Sequence, residues 1–198
     1  MRNHAIRGSM GPWATFFQEF VRHPRQIGSI IPSSRFLERR IVAAAGLRSA
    51  KIVIELGPGT GGTTRAILRA IGPDSRLLAI ELSGHLHALV SRIQDPRLIA
   101  HRGNAHQLRE IIATHALGAP DAIISGIPFS TMAPQTGREI LESIYSVLVP
   151  GGRFVAYQIN RRVATLSAHF PEHQEAELAL LNLPPIRIFR WQKDGVRL

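Results

Sequence analysis

The chain has 198 residues and a mass of 21.8 kDa; 44% of it is hydrophobic and 19% charged, which fits a single domain with a sizeable core and excludes wholesale disorder. It has no cysteine, so a disulfide framework, a thiolate nucleophile and Cys-ligated zinc are excluded. The formal charge is +10, and residues 1–48 hold eight arginines against Glu19 and Glu38, a net of +6. Such a surface attracts any polyanion, nucleic acid or anionic lipid, and charge alone does not choose between them.

Along the chain, Met1 to Met10 carries Arg2 and Arg7 with no apolar run behind them, so no secretory signal is expected. Nor does any stretch reach the roughly 18 uninterrupted apolar residues of a membrane-spanning helix. Trp13, Phe16, Phe17, Phe20 and Val21 recur at helical spacing, with Thr15, Gln18, Glu19 and Arg22 opposite, and Pro24 ends this amphipathic helix. A linker from Gln26 to Pro32 leads to Ser33 or Ser34, either of which can cap a helix running to Ala45, with Gly46 at its C-terminal end.

From there strands and helices alternate. Strands are predicted at Ile52 to Leu56, Leu77 to Leu82, Arg97 to His101, Ala122 to Ser125 and Phe154 to Ile159. Helices are predicted at Thr63 to Ile71, His85 to Ile93, Ala105 to His115 and Gly137 to Leu148. The tail, Glu177 to Leu183 and Ile186 to Gln192, reads as an extended pair closing the sheet. This alternation implies an α/β, doubly wound, mostly parallel sheet.

The most informative segment is Glu55-Leu56-Gly57-Pro58-Gly59-Thr60-Gly61. Glycines directly after a buried strand and before a helix let the backbone approach a nucleotide closely. A dinucleotide fingerprint would use Gly57, Gly59 and Gly62, all present, but Pro58 occupies the turn and Glu55 would repel a pyrophosphate at the helix N-terminus. S-adenosylmethionine carries a cationic aminoacyl end and sulfonium and no phosphate, and it is the cofactor these residues favour. Thr60 belongs to the same loop. Glu81, ending the second strand, can accept hydrogen bonds from both ribose hydroxyls, with Leu82 beside it. Asn104, with Ala105, can bond the adenine amine or cap the next helix; both readings stand.

Ser125-Gly126-Ile127-Pro128-Phe129 leaves the fourth strand at the sheet edge where doubly wound folds hold ligands. By itself it reads as a tight turn. It is similar, however, to the turn at which amino-group methyltransferases receive the substrate amine on backbone carbonyls. In adenine dimethylases an asparagine stands where this chain has Gly126, so a fixed acceptor for a nucleobase amine is missing here.

Together, Phe16-Phe17…Pro24…Gly28-Ser29-Ile30-Ile31-Pro32-Ser33-Ser34, the glycine loop and the 125–129 turn resemble the bacterial phospholipid N-methyltransferases, over nearly the whole chain. The resemblance implies a Rossmann-like class I methyltransferase fold with a mostly parallel seven-stranded sheet, an antiparallel C-terminal strand and an N-terminal amphipathic helix. It implies stepwise methylation of phosphatidylethanolamine, through its mono- and dimethylated forms, towards phosphatidylcholine, with S-adenosylhomocysteine as the other product. Residues 1–34 become a membrane-binding lid segment and residues 35–198 the methyltransferase domain. Ser29 and Ile30 then join the cofactor site. Trp13, Phe16, Phe17, Phe20, Arg22 and Arg25, with Arg35, Arg39 and Arg40 following, suit the headgroup region of an anionic membrane. That places the protein in the cytoplasm, peripherally on the inner face of the cell membrane.

Tyr157 on the fifth strand is the expected contact to the amine, with Phe129 as second aromatic and Ser125 and Gly126 lining the reacting end. The family tends to show Gln, an aromatic, Thr and Tyr leaving this strand, whereas here the residues are Ala156-Tyr157-Gln158-Ile159. His85, His101 and His106 fall near the ligand edge without metal-ligand spacing, so no metal is expected. The alternatives are an RNA adenine N6-methyltransferase, disfavoured with any nucleic-acid partner by the glycine at 126, and a noncatalytic peripheral membrane protein of the same fold.

Overall fold

The computed structural model describes residues 35–159, 161–167, 175–179 and 186–195. The amphipathic helix from Trp13, the cap at Ser33 or Ser34, and Ser29 and Ile30 lie outside the described residues, as do all six proposed membrane contacts.

Helix α1, Arg35–Ala45, buries Leu37 and Ile41 and stops at Gly46, whose φ of 63° is the left-handed geometry glycine adopts without strain. Five parallel strands follow: β1 Ile52–Leu56, β2 Arg76–Glu81, β3 Leu98–Arg102, β4 Ala122–Ser125 and β5 Arg153–Gln158. Between them run α2 Gly62–Ala70, α3 Gly84–Val90, α4 Leu108–Thr114 and α5 Pro134–Val147, and after β5 a short α6, Arg162–Leu166. Strand β6, Glu175–Ala179, and β7, Ile186–Gln192, close the sheet, β7 antiparallel to both β5 and β6. The order is β3-β2-β1-β4-β5-β7-β6, and the seven strands, mostly parallel with an antiparallel C-terminal strand, are what the resemblance implies.

Strands β1 and β4 are neighbours although paired residues such as Val53 and Ala122 lie 69 positions apart, because the chain reverses its direction of travel across the sheet between them. That switch point opens a crevice above the C-terminal strand ends. Side chains alternate across the sheet. Ile54, Leu56, Phe154 and Ala156 face the α4, α5 and α6 side, where Phe154 stacks on Trp191 at 5.0 Å. Val53, Val155 and the partly buried Tyr157 face α1 and α2. Glu55, two residues after Val53, therefore also faces α2.

Several boundaries differ from the sequence reading. Helix α5 begins three residues early because Pro134 occupies its first turn, where a missing N–H is harmless. The helix expected from Ala105 is a 3-10 turn, Ala105–Gln107, followed by α4. Strand β6 starts two residues before the expected Glu177 to Leu183 segment and overlaps it to Ala179, and residues 180–183 lie outside the described residues. Among the described residues no helix is long and apolar enough to cross a membrane, and no group of side chains could hold a metal ion.

Candidate active site

The glycine loop joins β1 to α2 at the switch point. Gly57, Gly59 and Gly61 have φ of 72°, 60° and 84°, each in the left-handed region, so the loop needs glycine at all three positions. The loop is tied to the end of β2: the Gly59 N–H donates to Glu81 Oε2 (3.1 Å), while the Ser83 N–H donates to Glu81 Oε1 (2.9 Å). Glu81 is 1% exposed, and burial raises its pKa while these two amides oppose the rise. Each oxygen keeps a second lone pair for a ribose hydroxyl.

Glu81, Leu82, Asn104 and Ala105 line one cleft with Gly57, as the sequence suggests. Asn104 Oδ1 accepts from the His106 N–H at 3.1 Å, so the helix-capping reading holds, on a residue that also faces the cleft. Ile127, from the 125–129 turn, faces them, and the rest of the opposite wall was not legible: Thr131 ends the 3-10 turn Phe129–Thr131, Met132 follows it, and Thr136 and Ile140 lie on α5. Only the packing of α5 beside β4 brings them there, and no local motif announces it.

Glu55 is fully buried. The Thr64 hydroxyl donates to Oε2 (2.6 Å), and Oε1 is the one buried side-chain atom among the described residues without a partner. Burial pushes its pKa up to about 8, with Thr64 opposing and the Glu81 charge adding. The carboxyl is thus largely neutral at pH 7, and phosphate repulsion is not a property of this loop as it stands. An orphaned, acceptor-rich oxygen beneath a glycine loop fits a ligand that brings a cation.

At the end of β4, Gly126 is held by its neighbours. A Cβ added there would meet the Tyr157 hydroxyl and lie 2.8 Å from Tyr157 Cζ and 2.9 Å from the Gly57 carbonyl oxygen. Tyr157 thus reaches the end of β4 and fills the space that a side chain at 126 would take. Its phenol is hydrogen-bonded to Thr63; burial, and then the Glu55 charge, push its pKa well above the ordinary tyrosine value. It remains a neutral donor and acceptor.

Three expectations at this turn need correction. Phe129 is fully buried in the core beside Gly137 and Leu166, so its ring is not offered to an amine. Ser125 is fully buried, and its hydroxyl accepts from the Ile127 N–H (3.3 Å), bracing the turn from inside. The Ile127 carbonyl is taken by Gln158 Nε2 (2.7 Å) and the Phe129 N–H (2.9 Å), and the Pro128 carbonyl by Thr131. Neither carbonyl therefore serves a substrate. Gln158, which the sequence reading treated only as a departure, is the brace. Among the histidines, His106 lines the cleft, whereas His101 pairs with His115 (3.0 Å), away from it.

The parallel sheet, the switch-point crevice and a glycine loop tied to an acidic strand end define a Rossmann-like methyltransferase fold. The chain belongs to the methyltransferase domain family, whose profile matches residues 53–152. It is 28% identical over 141 residues to the ornithine lipid N-methyltransferase of Singulisphaera acidiphila, a match covering 70% of this chain and 73% of that protein. It is 27% identical over 128 residues to ribosomal RNA small subunit methyltransferase A of Rhodococcus erythropolis, covering 59% of this chain and 40% of that enzyme. The fold also matches the O-methyltransferase TomG of Streptomyces achromogenes in complex with SAM, with a TM-score of 0.69, 15% identity and coverage of 96% and 92% of the two chains. The family and the fit of Glu55, the glycine loop and Glu81 make S-adenosylmethionine the cofactor.

Proposed function

We propose that this methyltransferase N-methylates a lipid amine at a membrane surface, namely the ethanolamine headgroup of phosphatidylethanolamine and its mono- and dimethylated forms. The observation that carries this reading is the Tyr157 phenol beside Gly126, which leaves no room for a side-chain amide at position 126. A hydroxyl can accept a hydrogen bond from an alkyl amine, and the ring attracts the cation once the nitrogen is methylated. The S. acidiphila relative, which its name assigns to a lipid amine, supports this reading over 73% of its length, against 40% for the ribosomal RNA enzyme.

In this reading Glu81 would hold the ribose hydroxyls, Leu82, Asn104, Ala105 and Ile127 the adenine, and Glu55 with the loop 57–61 the aminoacyl end. The bound cofactor supplies a methyl group on an electron-poor sulfonium. Deprotonating a headgroup ammonium of lysine-like pKa at pH 7 costs about 4–5 kcal/mol. Tyr157, with its raised pKa, is no base at that pH. It orients the lone pair, while burial of the amine lowers the cost of losing the proton to water. Residues 1–34 would hold the enzyme on the bilayer, each arginine near an anionic surface contributing about 1 kcal/mol.

A methyl-transfer assay with vesicles of phosphatidylethanolamine, vesicles of ornithine lipid, and ribosomal RNA tests the reading. Label in phosphatidylethanolamine is expected; label in ornithine lipid alone would change the headgroup, and label in RNA alone would overturn the lipid assignment. Deleting residues 1–25 is expected to abolish sedimentation with anionic vesicles, and unchanged binding would move the membrane contact elsewhere. Glu81→Ala unpairs two loop amides and should weaken cofactor binding ten- to a hundredfold by calorimetry. Undiminished affinity would mean the ribose site is misplaced.

A further inference from the structure

On the face of the sheet that α1 and α2 cover, a second concavity of about 490 Å³ runs between these two helices. Arg35, Arg39 and Arg69 line it with Glu38, over a floor that includes Val42 and Ala66. Arg69 Nη2 lies 3.4 Å from Glu38 Oε2, so the one acid is engaged by one of the three guanidinium groups. Arg35 and Arg39 stand one turn apart on α1, both exposed. Like charges at that spacing repel by a few tenths of a kcal/mol, and the groove carries net positive charge until an anion enters. Guanidinium groups match phosphate oxygens in a bidentate geometry that a lysine cannot offer.

Two features connect this groove to the site and to lipid. A Cβ on Gly62 would lie 2.9 Å from Glu38 Oε1, so the groove wall rests against the residue that follows the glycine loop. Phe36, beside Arg35, is 39% exposed and carries Arg40 over its ring at 5.2 Å, an apolar group among cations of the kind that sits at headgroup level.

We propose that the groove between α1 and α2 binds the phosphodiester of a phospholipid headgroup, fixing the protein at the bilayer with its cofactor edge among the headgroups. The proposal rests on the lipid-amine reading for its biological sense but not for its test. Calorimetry of the full chain with monomeric dihexanoylphosphatidylglycerol, a phosphodiester with no amine, should show binding that the double variant Arg35→Gln/Arg39→Gln weakens at least tenfold. Removing equal charge at Arg48→Gln/Arg76→Gln should leave it unchanged. If the bound phosphate is the substrate's own, the groove variant also raises KM for monomeric dihexanoylphosphatidylethanolamine with kcat within twofold. If it belongs to a neighbouring lipid, that KM is unchanged and only vesicle sedimentation falls; either result upholds the site. Equal affinity of wild type and groove variant for dihexanoylphosphatidylglycerol, with matched thermal unfolding, would overturn it, as would loss of RNA binding alone. If no lipid is methylated while the calorimetric difference persists, the lipid-amine reading fails and the phosphodiester site stands.

Discussion

Gly126→Ala is expected to lower kcat/KM for methyl transfer about a hundredfold. The new methyl group meets the Tyr157 hydroxyl and the Gly57 carbonyl, one a side chain held by Thr63 and the other the backbone of the glycine loop. Overpacking of this kind typically costs about 1–3 kcal/mol, and displacing a reacting group by about 1 Å costs about 10²-fold in rate. Because the turn is braced on its far side by Gln158 and from within by Ser125, it cannot retreat cheaply. Kinetics with phosphatidylethanolamine, beside thermal unfolding and cofactor calorimetry, separate a lost reacting geometry from a lost fold. Gly126→Ala/Tyr157→Phe removes the nearest obstacle, the hydroxyl, and leaves the ring Cζ and the Gly57 carbonyl in place, so its loss should be smaller than the sum of the two single effects. Full activity in Gly126→Ala would show that Tyr157 does not define the reacting end.

The second large effect concerns Glu55 and pH. Its carboxyl titrates near 4.5 when solvated and about 8 when folded, so between those values the folded chain keeps a proton that the unfolded chain has lost. Its contribution to stability is therefore complete below about pH 4.5 and is lost as pH rises through 8, a change on the order of 5 kcal/mol. Glu55→Gln mimics the protonated acid and should flatten this slope, leaving the variant more stable than wild type at pH 9. Cofactor binding runs the other way, since an ammonium pairs with the ionised carboxylate. Affinity should rise towards pH 8, with up to one proton released per cofactor bound near pH 6.5, and the Gln variant should release none from this site. Calorimetry in buffers of different ionisation enthalpy measures that count. No proton release by wild type would remove Glu55 from the cofactor's aminoacyl end.

Both effects arise from residues whose identity was plain in the sequence and whose environment was not. Glu55 reads as a carboxylate that repels phosphate; its place between the sheet and α2 turns it into a neutral acid awaiting a cation. Gly126 reads as a missing acceptor, whereas the structure makes it the space that Tyr157 requires. Phe129, by its position after Pro128, reads as a ligand contact and is instead a core residue under α5.

What the sequence determined alone was whatever neighbouring residues decide. The apolar runs of β1 and β4 and the extended Ile186–Gln192 segment have the bounds their composition suggests. The glycine loop and the stop at Gly46 follow from local φ requirements. Alternation of strand and helix was enough for a doubly wound sheet. Only the tertiary structure decided which lone pairs are already taken, which face of β5 carries Tyr157, and that α5 closes the cofactor cleft. Those outcomes depend on the strand order, which brings residues 57, 126 and 157 to one edge, and no periodicity within a single segment encodes contacts made across the sheet.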